Sequence, residues 1–116
     1  MDYGWQTIEG KVPSKSNNYK IQGNHLGKSD TVKEYEEWFY WKASKYRNLK
    51  IKGLFEFYCK VYYPTKASDL DNSLKVQLDC LQYCNAISND NNCVKIVAEK
   101  FIDKENPRVE FKIVTI

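Results

Sequence analysis

Apolar and polar residues follow each other with two different periods along this chain, and each period predicts a different element. From residue 51 to residue 63 apolar side chains recur at every second position, which predicts a strand with one buried face. Across residues 31–47 they recur at spacings of three and four, which predicts a helix. Residues 72–84 repeat the helical spacing. The apolar stripe of this second helix consists of Leu74, Leu78 and Leu81.

The predicted first helix is rich in aromatic residues. Thr31 and Glu34 have the spacing of a capping box at its start. Basic residues crowd its last turn, where cations interact favourably with the helix dipole. The side chains expected to face the core are Val32, Tyr35, Trp38, Phe39 and Tyr46, with Trp41 widening the apolar face.

Three further stretches, residues 5–12, 93–102 and 108–116, predict strands. Pro107 lies in the polar turn between the last two, so we expect these two strands to form a hairpin. Residues 13–28 are polar and basic without a regular period, which indicates a loop.

In chain order these elements read β-α-β-α-β-β. This order favours an α+β fold in one small domain, residues 1–116, with a mixed sheet and two helices packed on it. A chain of 116 residues can build one hydrophobic core but not two.

Composition narrows the class of protein only a little. A net charge of +3 with 28% charged residues permits nucleic-acid binding without arguing for it. No apolar run approaches the roughly 20 residues of a membrane span, and the N-terminus lacks a secretory signal pattern, so we expect a cytoplasmic protein without a membrane partner. The four cysteines lack the paired spacing of a zinc site, and we expect buried free thiols.

The candidate chemistry lies around the start of the second helix. Asp69 and Asp71 lie just before this start, and Lys75 follows one turn after Asp71. Asp90 lies in the polar loop after the helix and can return to the same region if the next strand lies beside strand 51–63. Converging carboxylates repel one another unless one is protonated or a cation lies between them. Oxygen ligands select Mg²⁺ or Mn²⁺, so the pattern predicts a site for a hard divalent cation.

Such a cation would supply a bound water that attacks a phosphodiester, while Lys75 would stabilise the developing charge. The simpler alternative is that Asp69 and Asp71 only cap the helix and interact with its dipole. The polar run Ser88–Asn92 would then be an Asx-rich turn. An EF-hand loop starting at Asp69 is excluded, because Leu74 would take the position that requires glycine.

Four motifs in sequence order resemble the RusA family of Holliday junction resolvases over about residues 8–102. The matching positions are Pro13 to Asn17, then Asp69, Asp71, Asn72, Leu74, Lys75, Leu78, Asp79 and Leu81, then Asn89, Asp90 and Val94, and finally Lys100. The predicted order of elements also agrees with this family. One position departs from the pattern, because Asn89 stands where the family usually has an aspartate directly before the one matched by Asp90.

The resemblance implies a Mg²⁺-dependent endodeoxyribonuclease, with Mn²⁺ as a substitute, that acts on branched DNA in recombination and repair. By position, Asp69, Asp71 and Asp90 match the family's catalytic, metal-binding aspartates. Lys75 matches the catalytic lysine, and Asp79 matches a further acidic position. The expected substrate is the four-way junction, cut by paired symmetric nicks.

The resemblance also implies a homodimer, because paired nicks in a nearly two-fold symmetric junction call for one site per subunit. Our candidates for contacts with DNA phosphates are Lys11, Lys15, Lys20 and Lys28. Two other functions stay open. One is binding of branched DNA without cleavage, which the asparagine at Asn89 keeps open, and the other is cleavage of forks or flaps. Because phages often carry this family, a phage or prophage origin is favoured.

Overall fold

The computed structural model describes residues 1–13 and 30–116, together with the backbone of residues 19–22 and 25–28. Among these described residues, six strands and two helices follow one another. They are β1 (Gln6–Glu9), β2 (Tyr19–Gln22), β3 (His25–Lys28), α1 (Asp30–Lys42), β4 (Phe55–Tyr63), α2 (Asp71–Tyr83), β5 (Cys93–Ile102) and β6 (Arg108–Thr115). A single 3₁₀ turn, Asp90–Asn92, precedes β5.

The main sheet has four strands in the order β1-β6-β4-β5. Strand β4 pairs antiparallel with β6 on one side and parallel with β5 on the other, so the sheet is mixed. Apart from the added hairpin of β2 and β3, the elements follow the order β-α-β-α-β-β. The α+β class predicted from the sequence is therefore confirmed.

Strand β4 carries the core of the protein. Its burial alternates without a break from one end to the other, as the alternation of its sequence predicts. The inward residues are Phe55, Phe57, Cys59, Val61 and Tyr63, and each is at most 1% exposed. The opposite face carries Glu56, Tyr58, Lys60 and Tyr62, which are half-buried.

The predicted hairpin between the last two strands is wrong, because β5 and β6 lie on opposite sides of β4. The turn after β5 crosses the end of β4, where the backbone N–H of Asp103 donates to the carbonyl oxygen of Tyr63 at 2.8 Å. Two strand spacings amount to about 9.6 Å, which a five-residue connection spans easily. The turn signal was correct, but a turn alone cannot tell whether a third strand lies between the two strands that it joins.

The segment predicted as a loop contains a second, two-stranded sheet. Strands β2 and β3 pair antiparallel, with Tyr19 opposite Lys28 and Gln22 opposite His25. The sequence between them is Gly23-Asn24, a dipeptide typical of two-residue hairpin turns. Strand β2 alternates apolar and polar residues over only four positions, and β3 does not alternate, so hydrophobic periodicity gave too short a signal to predict this pair of strands.

Helix α1 is shorter than predicted and begins at Asp30, so Thr31 lies inside its first turn rather than at the cap. Trp38 and Trp41 are 42% and 65% exposed, and their predicted place in the core is wrong. Trp41 comes nine residues after the buried Val32, which at about 100° per residue puts it on the opposite side of the helix. Trp38 lies at the rim, where its Nε1 donates to the carbonyl of Glu9 at 2.5 Å.

The aromatic centre of the core joins α1, the following turn and the sheet. The ring of Phe111 in β6 lies 5.4 Å from Phe39 and 4.9 Å from Tyr46, measured between centroids. Cys59, Cys80 and Cys84 are buried free thiols, as predicted, while Cys93 is half-buried. Burial raises the pKa of Cys59 to about 12, so this thiol stays protonated at neutral pH. Within the described ranges, neither helix is long and apolar enough to cross a membrane.

Tyr46 fastens the N-terminal segment to the sheet from inside the core. Its hydroxyl donates to the carbonyl oxygen of Gly4 at 2.6 Å and accepts from the backbone N–H of Ile113 at 3.0 Å. Burial raises the pKa of this hydroxyl to about 12. Two backbone groups therefore depend on one side-chain oxygen.

We expect Tyr46→Phe to lower the free energy of unfolding by about 1–3 kcal/mol, because it leaves a buried N–H and a carbonyl without partners. Tyr83→Phe is the matched control: Tyr83 is 44% exposed, and within residues 1–13 and 30–116 its hydroxyl bonds only to Glu37. The control should cost less than about 0.5 kcal/mol. Urea unfolding at neutral pH measures both, and equal losses would contradict this role of Tyr46.

Candidate active site

Lys75 connects two carboxylates that come from different elements. Its Nζ lies 3.0 Å from Oδ1 of Asp79, one turn further along α2, and 2.9 Å from Oδ2 of Asp90. The hydrogen bonds that Lys75 donates, first to Asp90 and then to Asp79, raise the pKa of Lys75. The ammonium group is therefore charged at neutral pH and ties the loop after α2 to the middle of the helix.

The backbone around Asp90 is fixed by side-chain amides. Its N–H donates to Oε1 of Gln82 at 3.2 Å. Asn89 caps the 3₁₀ turn, since its side-chain oxygen accepts from the N–H of Asn91 at 3.0 Å. This is the Asx turn that the sequence left open. Asparagine makes this bond as an aspartate would, so Asn89 keeps the local geometry that positions Asp90.

Asp69 and Asp71 do not cap α2. The N-cap position belongs to Leu70, which provides no side-chain hydrogen bond. Both carboxylates are exposed. Within residues 1–13 and 30–116, neither makes a hydrogen bond or an ion pair through its side chain. Their oxygens are free to bind a ligand from solution, which a capping role would have prevented.

Two side chains hold the loop that leads to Asp69. Nζ of Lys100 in β5 donates to the carbonyl oxygens of Lys66 at 3.1 Å and Ser68 at 2.7 Å. The hydroxyl of Tyr63, the last residue of β4, donates to the carbonyl oxygen of Asp69 at 3.3 Å. The loop therefore depends on both neighbouring strands for its position.

The negative charges of the two free carboxylates also affect the pKa of the Tyr63 hydroxyl. Burial is the main cause that raises the pKa of its hydroxyl, and the negative charges of Asp69 and Asp71 add to it. The phenol thus lies within electrostatic reach of both carboxylates, although no side-chain bond joins them.

The four predicted site residues fall into two places along α2. Lys75 and Asp90 are in direct contact, whereas Asp69 and Asp71 lie at the N-terminal end of the helix. Eight residues separate Asp71 from Asp79, the neighbour of Lys75, which is about 12 Å of helix. In the described part of the chain, no three acidic, histidine or cysteine side chains gather closely enough to hold a metal ion. Convergence of all three aspartates stays a prediction.

One face of the helix nevertheless connects the two places. Asp71, Lys75 and Asp79 follow each other at intervals of four residues, so they lie on one side of α2. This side presents free carboxylate oxygens at one end and a charged ammonium group beside two carboxylates further along. Carboxylate oxygens suit a hard divalent cation, and the ammonium suits a phosphate oxygen.

Of the predicted DNA contacts, only Lys11 has a described side chain. It is exposed and lines a groove of about 380 Å³ together with Thr31, Tyr35 and Trp38, among others. Lys15 lies outside the described residues, as do the side chains of Lys20 and Lys28.

The structure adds three residues to the candidate site that the sequence did not assign a role in catalysis or metal binding. Asp79 bonds directly to Lys75, Gln82 holds the backbone of Asp90, and Tyr63 holds that of Asp69. A helical spacing of four and then three along the Lys75 face could have indicated Asp79 and Gln82. Tyr63 gave no signal, because its role depends on the path of a loop that has no regular period.

The model of the family described as Endodeoxyribonuclease RusA matches residues 9–114 of the chain. This match covers nearly the whole sequence and includes every predicted site residue. No curated protein matches the chain.

We expect the pKa of Lys75 to fall in both Asp90→Asn and Asp79→Asn, because each variant removes a negative charge that favours the ammonium form. Since the folded protein raises this pKa above 10.5, the pairing stabilises the fold below that pH and is lost as the pH rises through the folded value. NMR titration of the lysine side-chain signals measures the shift. Glu105→Gln, in the turn before β6, is the control, and an unchanged pKa in Asp90→Asn would contradict the bridging geometry.

Proposed function

The chain belongs to the RusA family of endodeoxyribonucleases, and on this premise we propose that it is a Mg²⁺-dependent enzyme that resolves four-way DNA junctions by paired nicks. The observation that carries the proposal is the pair of exposed carboxylates, Asp69 and Asp71, which have no partner within residues 1–13 and 30–116 and lie at the position of the family motif. Interaction with the helix dipole accounts for the charge of Asp71 in the first turn of α2, but it does not require a second exposed carboxylate at Asp69.

We propose that Asp69, Asp71 and Asp90 hold the metal, because their carboxylate oxygens are ligands that Mg²⁺ and Mn²⁺ prefer. Since α2 separates Asp90 from the other two within one chain, this assignment requires Asp90 to come from a second copy or to move toward Asp69 and Asp71. When bound, the metal would supply a water for attack on the phosphodiester and would neutralise charge on the phosphate. Lys100 and Tyr63 position Asp69 through the backbone of its loop. Gln82 holds Asp90 through the backbone N–H of Asp90, and Lys75 holds its carboxylate directly.

Lys75 is proposed as a catalytic residue that acts on the phosphate. Its side chain is 44% exposed, so the ammonium group can turn toward DNA without leaving the helix face. The two carboxylates beside it keep it protonated, and a protonated lysine stabilises the negative charge that develops on a phosphate during cleavage. Asp79 therefore serves as a positioning residue for Lys75.

Resolution of a junction needs two nicks on opposing strands, which a homodimer with one site per subunit provides. Lys11, together with Lys15, Lys20 and Lys28, would position the DNA through its phosphates without reading its sequence. Binding of branched DNA without cleavage is the main competing function. The turn around Asn89 keeps Asp90 in place, and this favours cleavage over mere binding.

We expect Asp71→Asn to lower the rate of junction cleavage by at least about 100-fold, because the amide is a much weaker metal ligand and carries no charge. Asp30→Asn is the matched control, since Asp30 is also an exposed first residue of a helix and loses the same interaction with the helix dipole. The assay uses a labelled four-way junction beside linear duplex, a fork and a flap, with Mg²⁺ or with EDTA.

Symmetric paired nicks that require metal and Asp71 are the expected result. Tight junction binding without cleavage in Mg²⁺ or Mn²⁺ would overturn the nuclease proposal in favour of a binding protein. Equal cleavage of forks and flaps would support metal-dependent cleavage of DNA but contradict the proposed preference for four-way junctions.

We also expect binding to branched DNA to weaken steeply with salt, because phosphate contacts release counterions. Lys11→Gln should reduce the slope of log K against log salt by about 0.9 if Lys11 contacts one phosphate. Lys52→Gln, another exposed lysine, serves as the control. Fluorescence anisotropy between about 50 and 200 mM salt measures the slope, and an affinity that does not change over this range would contradict the predicted phosphate contacts.

A further inference from the structure

Strand β5 is a long, open edge of the main sheet. In the ranges that the structure describes, it pairs with β4 on one side and with no strand on the other. It has ten residues, whereas β1 at the opposite edge has four. A long free edge presents a row of backbone N–H and C=O groups that can pair with another strand. Natural proteins normally shorten, cover or bend such an edge.

The exposed side chains of β5 are unusually apolar for a solvent edge. Five of its ten residues are large hydrophobic side chains that are 38–52% exposed: Val94, Ile96, Val97, Phe101 and Ile102. Proline, which would discourage strand pairing, is absent from this strand. Both faces of the edge carry these residues: by the register with β4, Ile96 and Ile102 lie on the side of the core, and Val97 and Phe101 lie on the opposite side. This combination is typical of an edge that is paired in the functional protein.

The charges of β5 select one way in which two copies can pair. A two-fold axis perpendicular to a sheet makes neighbouring strands antiparallel and sets one residue opposite its own copy. Centring the pair on Lys95 or Glu99 would set like charges opposite each other. Centring it on Val97 instead sets Lys95 opposite Glu99 of the second copy, twice across the axis. Centring it on Ile96 or Ala98 pairs no opposite charges.

We propose that a second copy of this chain binds along β5, antiparallel and in the register centred on Val97, to form a continuous eight-stranded sheet. Lys95, Val97 and Glu99 then lie on the sheet face opposite the helices. Ile96 lies opposite Ala98 of the second copy on the helix-facing side. Each Glu99 lies between Lys60 of its own β4, which is its partner in register, and Lys95 of the second copy. Opposite charges and apolar pairs across strands stabilise a sheet.

A second copy fits this edge better than an extended peptide of another protein. The charge pattern of β5 is complementary to itself, which an interface with an unrelated strand does not require. Two-fold pairing also closes the assembly, because both β5 edges are then used and no third copy can be added.

The register also determines how the two copies present their candidate sites. Cys93 of one copy comes opposite Phe101 of the other, so the Asp90 end of one strand lies next to the far end of its neighbour. That far end carries Lys100, which holds the loop before Asp69. The interface deepens the homodimer of the proposed function, but the argument for it uses only the strand edge.

The test uses two single variants of the full chain. Lys95→Glu and Glu99→Lys each set two like-charge pairs across the axis, and each alone should raise the dissociation constant of the dimer at least about tenfold. An equimolar mixture of the two variants restores both opposite-charge pairs, so it should form heterodimers with an affinity near that of the wild type. Sedimentation and light scattering, without DNA, measure the assembly, and circular dichroism checks the fold of each variant.

A wild-type monomer at micromolar concentration, single variants that dimerise like the wild type, or a mixture that stays monomeric would each overturn the proposal. A thiol pair tests the register directly. Val97→Cys should form an intermolecular crosslink with a short bifunctional reagent, because the two side chains face each other. Val94→Cys should not, since its two copies lie about 20 Å apart along the strand. The opposite result would exclude this register.

Failure of the interface and failure of the nuclease proposal are distinguishable. Metal-dependent cleavage by a wild-type protein that is monomeric, or that dimerises through another surface, would contradict the β5 interface but support the nuclease proposal. A β5 dimer that never cleaves DNA would support the interface but contradict the nuclease proposal.

Discussion

The parallel pairing of β4 with β5 is the constraint on which the arrangement of the site depends. A parallel pair requires a crossover, and α2 supplies it. The loop before α2 therefore lies at the C-terminal end of β4, while the loop after it returns to the N-terminal end of β5. Asp69 and Asp90 belong to these two loops, so one chain holds them toward opposite ends of the helix. Their separation follows from the topology of the sheet.

Lys75 compensates for part of this separation. Its long side chain reaches Asp90 from the helix, and the two carboxylates around it keep it charged. Asp69 and Asp71 receive no such partner in the described part of the chain. The protein therefore neutralises some of its acidic groups internally and leaves two exposed. That difference supports the proposed binding of a cation by Asp69 and Asp71.

The two edges of the sheet are built differently. The β1 edge is short, and the backbone around it is engaged by Trp38, which bonds to Glu9, and by Tyr46, which bonds to Gly4. The β5 edge is long and apolar and has no cover within the described ranges. Strand β5 also provides Lys100, which holds the loop before Asp69. The proposed assembly along β5 and the position of the loop before Asp69 therefore depend on the same strand.

The sequence by itself determined the existence of both helices and the four main strands, because hydrophobic periodicity reports burial residue by residue. It also determined Asp69, Asp71, Lys75 and Asp90 as the candidate site, through local spacing and family motifs. Strand order could not be predicted, since periodicity shows that a strand is buried but not which strand lies beside it. The hairpin β2–β3 offered only a four-residue alternation in β2 and none in β3, and the exposure of Trp38 depended on which side of α1 meets the sheet. Only the tertiary structure decided that Lys75 joins Asp90 while Asp69 and Asp71 stay free, because that outcome depends on where a crossover returns the chain.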